Sequence, residues 1–289
     1  MLTGLLLAIL ASVIHATADA AKKGLTRRQS PADALTGYIL FGLPLAALLW
    51  LGAGLPGMPR EGFLLYAAAS VVPNLLANIL FFEAVRVSPL SLTLPFLAFT
   101  PAFLIGTSFL INRELPSLLG AAGIVLVLVG ALLLHAGELR HGATGPLRAI
   151  VRERGSLLMT AVALIWSFTA AADKQAVLRS GPFAYLALWH VGMLAPLVTT
   201  AALRRRLGVI VAPRAALATS GAAALHVAGM AVQLAALPLL QAAYVIAIKR
   251  AGMVVGIFYG WLLFKEQRVR ERLLGAAVMV AGVLCITAG

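Results

Sequence analysis

The sequence predicts an all-α membrane protein with ten transmembrane helices, arranged as two five-helix repeats of inverted topology. Three observations support this prediction: an apolar composition, apolar stretches long enough to span a bilayer, and an internal similarity between the two halves. Of the 289 residues, 61% are hydrophobic and 11% are charged, and the mean hydropathy is +0.98. A soluble domain is roughly half apolar and a quarter charged, so the composition favours an integral membrane protein.

The apolar stretches have the length of transmembrane α-helices, which need about 20 residues to cross a hydrocarbon core of about 30 Å. They lack the polar–apolar alternation that is typical of a membrane β-barrel. The first stretch contains Ala18-Asp19-Ala20, which resembles a signal-peptide cleavage site, but no Lys or Arg precedes it. We therefore assign it as the first helix. The predicted spans are 2–20, 35–53, 62–84, 90–111, 117–135, 156–177, 182–202, 215–236, 240–264 and 273–288.

The two halves of the chain resemble each other at a constant shift of 152 residues. The aligned pairs are Thr17 and Thr169, Lys22 and Lys174, Pro44 and Pro196, and Glu114 and Glu266, and the pentapeptide LLGAA recurs at 118–122 and 273–277 after a three-residue insertion. We predict a first repeat at 1–135, a polar linker rich in Gly and Arg at 136–155, and a second repeat at 156–289. Because each repeat has an odd number of helices, the second must enter the membrane from the opposite side. This inverted-repeat architecture is typical of transporters, which bind their substrate at the repeat interface.

The basic residues predict the orientation of the chain. The formal net charge is +13, and 17 of the 23 Lys and Arg residues lie in predicted loops after odd-numbered helices, against three after even-numbered helices. By the positive-inside rule, the odd-numbered loops are expected in the cytoplasm and both termini on the opposite side. The basic residues are not interleaved with aromatic ones in the way that base stacking requires, so we expect no nucleic-acid partner.

The ends of the two repeats carry a resemblance to a known family. The step NRE at 112–114 precedes LLGAA, and FKE at 264–266 precedes the second LLGAA. This pattern resembles the EamA domains of the drug/metabolite transporter superfamily, over nearly the whole chain. The resemblance implies a ten-helix secondary transporter in the cell inner membrane, with a central cavity that opens to one side at a time. Relatives export amino acids and other metabolites, or exchange sugar phosphates or nucleotide sugars, and most have both termini in the cytoplasm.

Two adjacent cations, Lys249 and Arg250, fall near the middle of the predicted ninth span. A charge at the centre of a membrane helix costs about 2.5–3.5 kcal/mol on insertion scales, and such residues are usually functional. Arg offers a planar fork that suits carboxylate or phosphate, and Lys offers a mobile point charge. We therefore expect the pair to bind the anionic group of a small substrate. The alternative is a structural ion pair with Asp19, Glu83 or Asp173, the carboxylates nearest to mid-span.

The KR dipeptide also resembles the phosphate-binding pair in the ninth helix of plastid triose-phosphate translocators. Those proteins have a further Lys in the fourth helix, where the repeat alignment places Leu97 here. The resemblance implies an anionic or zwitterionic substrate with a carboxylate, phosphate, phosphonate or sulfonate group. Two alternatives remain open: a lipid-phosphate flippase that uses the same cations, and an exporter of amino acids or drugs in which the cations are structural.

Further polar residues occupy matching depths in helices that the repeat relates. Asn74 and Asn78 share a face of the third helix, and the shift aligns Asn74 with His226 in the eighth. For each residue, interhelical hydrogen bonding is the alternative to substrate contact. Three histidines are also candidate proton carriers, and two prolines are candidate hinges. The substrate-site candidates are Lys249, Arg250, Tyr244, Asn74, Asn78, His15, His226, Gln233, Trp166 and Ser167; the proton candidates are His15, His190 and His226; the hinges are Pro95 and Pro101.

Several other functions lack their motifs. There is no G-x-x-x-x-G-K-[ST] sequence, so this chain is not expected to hydrolyse ATP. No mid-span carboxylate pair, Ser/His base arrangement or metal-ligand spacing occurs, and one cysteine, Cys285, cannot form a disulfide framework. We expect a non-enzymatic carrier without cofactor or metal, whose partners are a small molecule and the lipid bilayer, and which is a monomer or a homodimer.

The loop charges generate a prediction about topology. Reporter domains that are active only in the cytoplasm should be inactive when fused to either terminus, because both termini are expected on the non-cytoplasmic side. The assay is reporter activity in whole cells, with the reporter inserted in the loop at 204–206 as the positive control. Activity at both termini would reverse the orientation, and activity at one terminus would contradict the ten-span count.

Overall fold

The structure, a computed structural model, describes residues 1–26, 29–54, 59–88, 93–134, 154–252, 254–255 and 269–289. Within these ranges the backbone is helical and contains no strand, which confirms the predicted all-α fold class. We number the ten principal helices α1 to α10: Leu2–Thr26, Pro31–Gly52, Phe63–Val87, Phe99–Asn112, Leu118–Leu134, Arg154–Ser180, Pro182–Leu203, Pro213–Ala236, Ala242–Ala251 and Val269–Ala288. A 3₁₀ segment, Leu94–Ala98, leads directly into α4, and a short helix, Leu207–Ile210, precedes α8.

The outer surface of the bundle is suited to lipid. Six of the described helices, α1, α2, α3, α6, α7 and α8, are long and apolar enough to cross a membrane, and shorter apolar helices occur at Phe96–Asn112, Leu118–Leu133 and Leu274–Ala288. Large apolar side chains point outward from these helices; Leu64 and Leu217 are each 79% exposed. An exposed apolar surface on this scale marks a membrane or interaction surface, so the chain is a multi-pass membrane protein.

The three main differences from the predicted spans are in the first, fourth and ninth helices. Helix α1 continues to Thr26, six residues beyond its predicted end, so Lys22 belongs to a helix and not to a loop. The predicted fourth span is divided into the 3₁₀ segment and α4. In the ninth span, α9 ends at Ala251, and residues 256–264 of that span lie outside the described residues. The predicted linker also lies outside them, except for residues 154–155, which begin α6.

The loops meet in two groups, as ten alternating spans require. At one end, Arg206 before α8 forms an ion pair with Asp33 at the start of α2, with 2.5 Å between Nη2 and Oδ2; hydrogen bonding to this carboxylate raises the pKa of Arg206. At the opposite end, the Arg60 N–H before α3 donates to the Arg179 carbonyl near the end of α6. Each of these two contacts joins loops of the same parity, in agreement with ten alternating spans.

Helix packing is symmetric between the two halves. Helix α1 packs on α8, and α3 packs on α6. These two contacts are equivalent, because α1 corresponds to α6 and α3 corresponds to α8 in the repeat. The pairs α2–α7, α4–α9 and α5–α10 each join a helix to its own counterpart in the other half. Every one of these contacts joins the first half to the second, so the core of the protein is the interface between the halves.

The α5–α10 contact depends on glycines that let the two backbones approach closely. A Cβ on Gly123 would lie 2.6 Å from the Gly282 carbonyl oxygen, and a Cβ on Gly282 would lie 2.6 Å from the Gly123 carbonyl oxygen. Membrane helices pack through small residues in this way because lipid provides no hydrophobic drive for their association. The backbones of α5 and α10 are thus too close at these two positions to leave room for a side chain between them.

We expect Gly123→Ala to lower the melting temperature of the detergent-solubilised protein. The added methyl group would overpack the α5–α10 contact, at a cost of about 1–3 kcal/mol. Gly106→Ala in α4 is the matched control, because a Cβ there meets no atom within 4 Å and alanine favours the helix. Equal melting temperatures for the two variants would contradict the close packing of α5 and α10.

Candidate functional site

The last turn of α9 places Lys249 and Arg250 among helices from both halves. Gly252 closes the helix, with its N–H donating to the Lys249 carbonyl. A Cβ on Gly252 would lie 2.4 Å from the Ser12 carbonyl oxygen of α1, so only glycine allows this close approach. The carbonyl groups at a helix C-terminus carry partial negative charge, which favours basic residues there. The two cations therefore occupy the last turn of α9, and most of the predicted span that follows Gly252 lies outside the described residues.

Both cations are hydrogen-bonded to neutral groups. The Lys249 Nζ donates to the Gln233 Oε1 of α8 at 2.7 Å. The Arg250 Nη2 donates to the Thr100 hydroxyl of α4 at 3.2 Å, and its guanidinium lies 5.6 Å from the ring centre of Trp166 in α6. Arg250 is buried and Lys249 is half-buried. Among the described residues, neither cation has a carboxylate within ion-pair distance.

A third cation, Lys22, extends this region, and the sequence reasoning missed it by counting it as a loop residue. Lys22 is buried and forms an ion pair with Asp19 one turn earlier in α1, at 3.1 Å. Its ammonium lies 5.3 Å from the ring centre of Tyr38 and 5.6 Å from that of Phe81. The sequence feature that could have identified Lys22 is its repeat alignment with Lys174, which was predicted to lie inside a span.

Phe81 connects the surroundings of Lys22 with those of Arg250, because its ring is also 5.6 Å from that of Trp166, which faces Arg250. Lys249 lies within electrostatic range of Arg250, Asp19, Lys22 and Asp173. Of the two carboxylates in this set, Asp19 is already paired with Lys22. Among the described residues, the region near Lys249 therefore has an excess of positive charge.

Next to this cationic region, His15 and His226 belong to a cluster of rings from α1, α2, α7 and α8. The ring of His226 is 4.5 Å from Tyr38, 5.9 Å from His190, 6.0 Å from Trp189 and 6.4 Å from His15, centre to centre. Each of these five side chains buries at least one polar atom that has no hydrogen-bond partner among the described residues. Such atoms are costly to bury unpaired, so the cluster holds unused hydrogen-bonding capacity near the middle of the bundle.

Asn74 belongs to a third group, centred on a buried carboxylate. The Asp173 Oδ1 of α6 accepts hydrogen bonds from the Ser70 hydroxyl of α3 and the Tyr185 hydroxyl of α7. The Asn74 side-chain amide donates to the Ser70 hydroxyl at 3.1 Å, and Asn78 donates to the Asn74 backbone carbonyl at 2.8 Å. Sequence reasoning found Asn74 and Asn78 but missed Ser70, although it extends the same i, i+4 stripe by one turn.

Lys174, the repeat counterpart of Lys22, has a structural role. Its ammonium donates to Glu114 after α4 and to the Leu240 carbonyl before α9. The other Glu114 oxygen accepts from the Ala242 N–H in the first turn of α9, at 3.1 Å. A carboxylate at a helix N-terminus satisfies an otherwise unpaired amide. This ion pair fixes the start of the helix whose end carries Lys249 and Arg250.

The family of the protein follows from comparison with known proteins. The model of the EamA-like transporter family matches residues 2–136 and again 153–288. The chain belongs to the EamA-like transporter family. This result confirms the resemblance to the drug/metabolite transporter superfamily and shows that the protein is a membrane transporter.

A comparison of folds agrees with this EamA-like assignment. The chain resembles a solved chain described as "Crystal structure of protein", with a TM-score of 0.75 and 14% sequence identity, over 99% of this chain and 97% of that one. At this level of identity the likeness shows the fold alone. No curated protein matches the chain in sequence.

The structure also locates the remaining site candidates of this EamA-like transporter, Tyr244, Ser167 and the two prolines. The Tyr244 hydroxyl accepts from the Ser117 N–H before α5, at 3.1 Å, and the Ser167 hydroxyl donates to the Leu164 carbonyl at 2.7 Å. Pro95 lies in the 3₁₀ segment, and Pro101 is buried in the first turn of α4. The two prolines thus flank the change from 3₁₀ to α geometry. The described residues contain no group of three His, Cys, Asp or Glu side chains that could hold a metal ion.

Proposed function

We propose that the protein is a secondary transporter of a small anionic or zwitterionic metabolite, and that Lys249 and Arg250 bind its anionic group. The observation that carries this proposal is that both cations are held by neutral partners. Gln233 and Thr100 satisfy one hydrogen bond each but neutralise no charge. Charges in a membrane protein usually pair with one another or face a water-filled pathway, and an anionic substrate supplies the missing charge.

The side chains around the cations suit a carboxylate, phosphate, phosphonate or sulfonate group. The Arg250 Nε has no hydrogen-bond partner among the described residues, and its Nη2 is bound to Thr100. A guanidinium binds oxyanions best through two parallel N–H groups. Trp166 lies against the guanidinium and keeps water from one side of it. Lys249 is half-buried and can turn from Gln233 toward an oxyanion.

A zwitterion fits the same region because of Asp19. This carboxylate lies within electrostatic range of both Lys249 and Arg250, and its own partner is Lys22. The ammonium group of a zwitterion would bind to Asp19, while its anionic group would bind to Lys249 and Arg250. The polar atoms of Tyr38, His15 and His226 that have no hydrogen-bond partner among the described residues provide further donors and acceptors for a substrate when the site opens.

Transport is proposed to proceed by alternating access in the cell inner membrane. The cations contact α4, α6 and α8, which come from both halves of the chain, so a movement of one half against the other changes the surroundings of the anion. The 3₁₀ segment with Pro95, and Pro101 in α4, are the proposed hinge, because Thr100 beside Pro101 binds Arg250. A lipid-phosphate flippase would use the same cations, and vesicles loaded with anionic lipid distinguish it from a carrier of soluble anions.

We expect substitutions of the cation pair to weaken anion binding without unfolding the protein. Arg250→Lys keeps the charge but loses the fork, so sulfate affinity should fall on the order of tenfold. Lys249→Gln should also weaken binding, and should preserve or raise the melting temperature because a buried charge is removed. The measurements are sulfate titration by tryptophan fluorescence and thermal unfolding on the same purified samples, preceded by a thermal-shift screen of small carboxylates, phosphates, phosphonates and sulfonates.

Lys174→Gln is the matched comparison, because Lys174 is a buried lysine with a carboxylate partner. It should lower the melting temperature by leaving Glu114 unpaired. If Lys249→Gln is destabilised to the same extent and keeps its affinity for sulfate, the cation pair is structural. Stabilisation of the wild-type protein only by cations or neutral drugs would overturn the anion proposal.

A further inference from the structure

Asp173 is a buried carboxylate that the proposed anion site does not use. It is 5% exposed, and its Oδ1 accepts hydrogen bonds from two hydroxyl groups on different helices, Ser70 on α3 and Tyr185 on α7. Among the described residues, no Lys, Arg or His lies within ion-pair distance of it. An ionisable group inside a membrane bundle that lacks a counter-charge indicates a functional site.

The charges around Asp173 show how it can act on the anion site. Tyr185 is the titratable group that contacts it from α7, and Lys249 at the end of α9 is the charged group within electrostatic range. On its own helix, the neighbouring Lys174 is occupied by Glu114. From α3, it meets the neutral side chains Ser70 and Asn74. Lys249 is therefore the cation through which the charge of Asp173 can act on the anion site.

Both charge states of this carboxylate have support from the structure. The two hydroxyl donors stabilise the ionised form, whereas burial between three helices stabilises the neutral form. Ionised Asp173 offsets part of the positive charge of Lys249, and neutral Asp173 leaves that charge available to an anion. A proton on Asp173 and an anion on Lys249 and Arg250 must therefore strengthen each other's binding, because linkage between two sites is reciprocal.

We propose that Asp173 binds the proton that is carried together with the anion, so that the transporter is a proton–anion symporter. This inference rests on the anion site of the proposed function and adds its coupling ion. In the transport cycle, the carboxylate takes one proton from the water on the side where the site is open. It releases that proton on the other side with the anion, and Ser70 and Tyr185 then hold the ionised form through their hydroxyl groups.

The test measures proton uptake when sulfate binds to the purified full-length protein. Sulfate is the probe because its charge does not change between about pH 5 and about pH 8. In weakly buffered solution with a pH-indicator dye, the wild-type protein should take up a fraction of a proton for each sulfate bound. Its sulfate affinity should increase on the order of tenfold from the alkaline to the acidic end of that range.

Asp173→Asn should abolish proton uptake and remove the pH dependence of sulfate affinity, because the amide mimics the neutral form. Asp33→Asn is the matched control: Asp33 is 4% exposed but pairs with Arg206 at the bundle end, so both effects should persist. Tyr185→Phe provides a second readout if the asparagine variant folds poorly. With one hydroxyl donor lost, the midpoint of the pH dependence should move to higher pH.

The possible outcomes distinguish a failure of the proton site from a failure of the anion site. Proton uptake that persists in Asp173→Asn, or a midpoint that Tyr185→Phe leaves unchanged, would place the proton on another group, with Lys249, His15 and His226 the nearest candidates. Sulfate binding with no proton uptake in the wild-type protein would likewise overturn the symport proposal while leaving the anion site intact. The absence of sulfate binding at every pH would instead contradict the anion site itself.

Discussion

A bilayer provides no water to stabilise a buried charge, so each charged side chain inside the bundle must find its partner within the protein or in a ligand. Two lysines inside the second half of the bundle meet this constraint in different ways. Lys174 is neutralised by Glu114, and the same carboxylate accepts from the first turn of α9. Lys249, at the far end of α9, has Gln233 as its hydrogen-bond partner. One end of α9 is therefore neutralised by a carboxylate, whereas the cations at the other end have no carboxylate within ion-pair distance among the described residues.

Because the helices pair across the two halves, Lys249 and Arg250 lie at the interface between the halves. Each principal helix contact joins the first half to the second, and the partners of Lys249 and Arg250 come from both: Thr100 from the first, Gln233 and Trp166 from the second. Because residue Gly252 has no side chain, the end of α9 packs closely against α1. A bound anion would consequently hold both halves together, and its release would let them move apart.

Much of the fold was predictable because a lipid bilayer requires spanning helices of a defined length and an apolar composition. Helices of spanning length, the repeat shift and the odd number of helices per repeat follow from hydropathy and self-similarity alone. The end of α1 was missed because Lys22 resembles a loop cation in sequence, yet its long side chain finds Asp19, Tyr38 and Phe81 within the bundle. The 3₁₀ start of the fourth span was not predicted either, because propensity does not distinguish 3₁₀ from α geometry around proline.

The site was only partly predictable, because partners are a property of three-dimensional packing. Charge and depth identified Lys249 and Arg250, and polar periodicity identified Asn74 and Asn78. Sequence could not show that Asp173 would be held by Ser70 and Tyr185 while the cations face neutral groups. Sequence also could not show that Lys22 and Lys174, which align with each other in the repeat, have different carboxylate partners.

The central claim is that an anion is the missing partner of Lys249 and Arg250. The most direct measurement is anomalous diffraction from crystals of the unsubstituted protein grown with selenate, an analogue of sulfate. The account predicts a selenium peak within about 4 Å of both the Lys249 ammonium and the Arg250 guanidinium, with Lys249 turned away from Gln233. Selenate bound elsewhere, with Lys249 still on Gln233 and Arg250 still on Thr100, would contradict it.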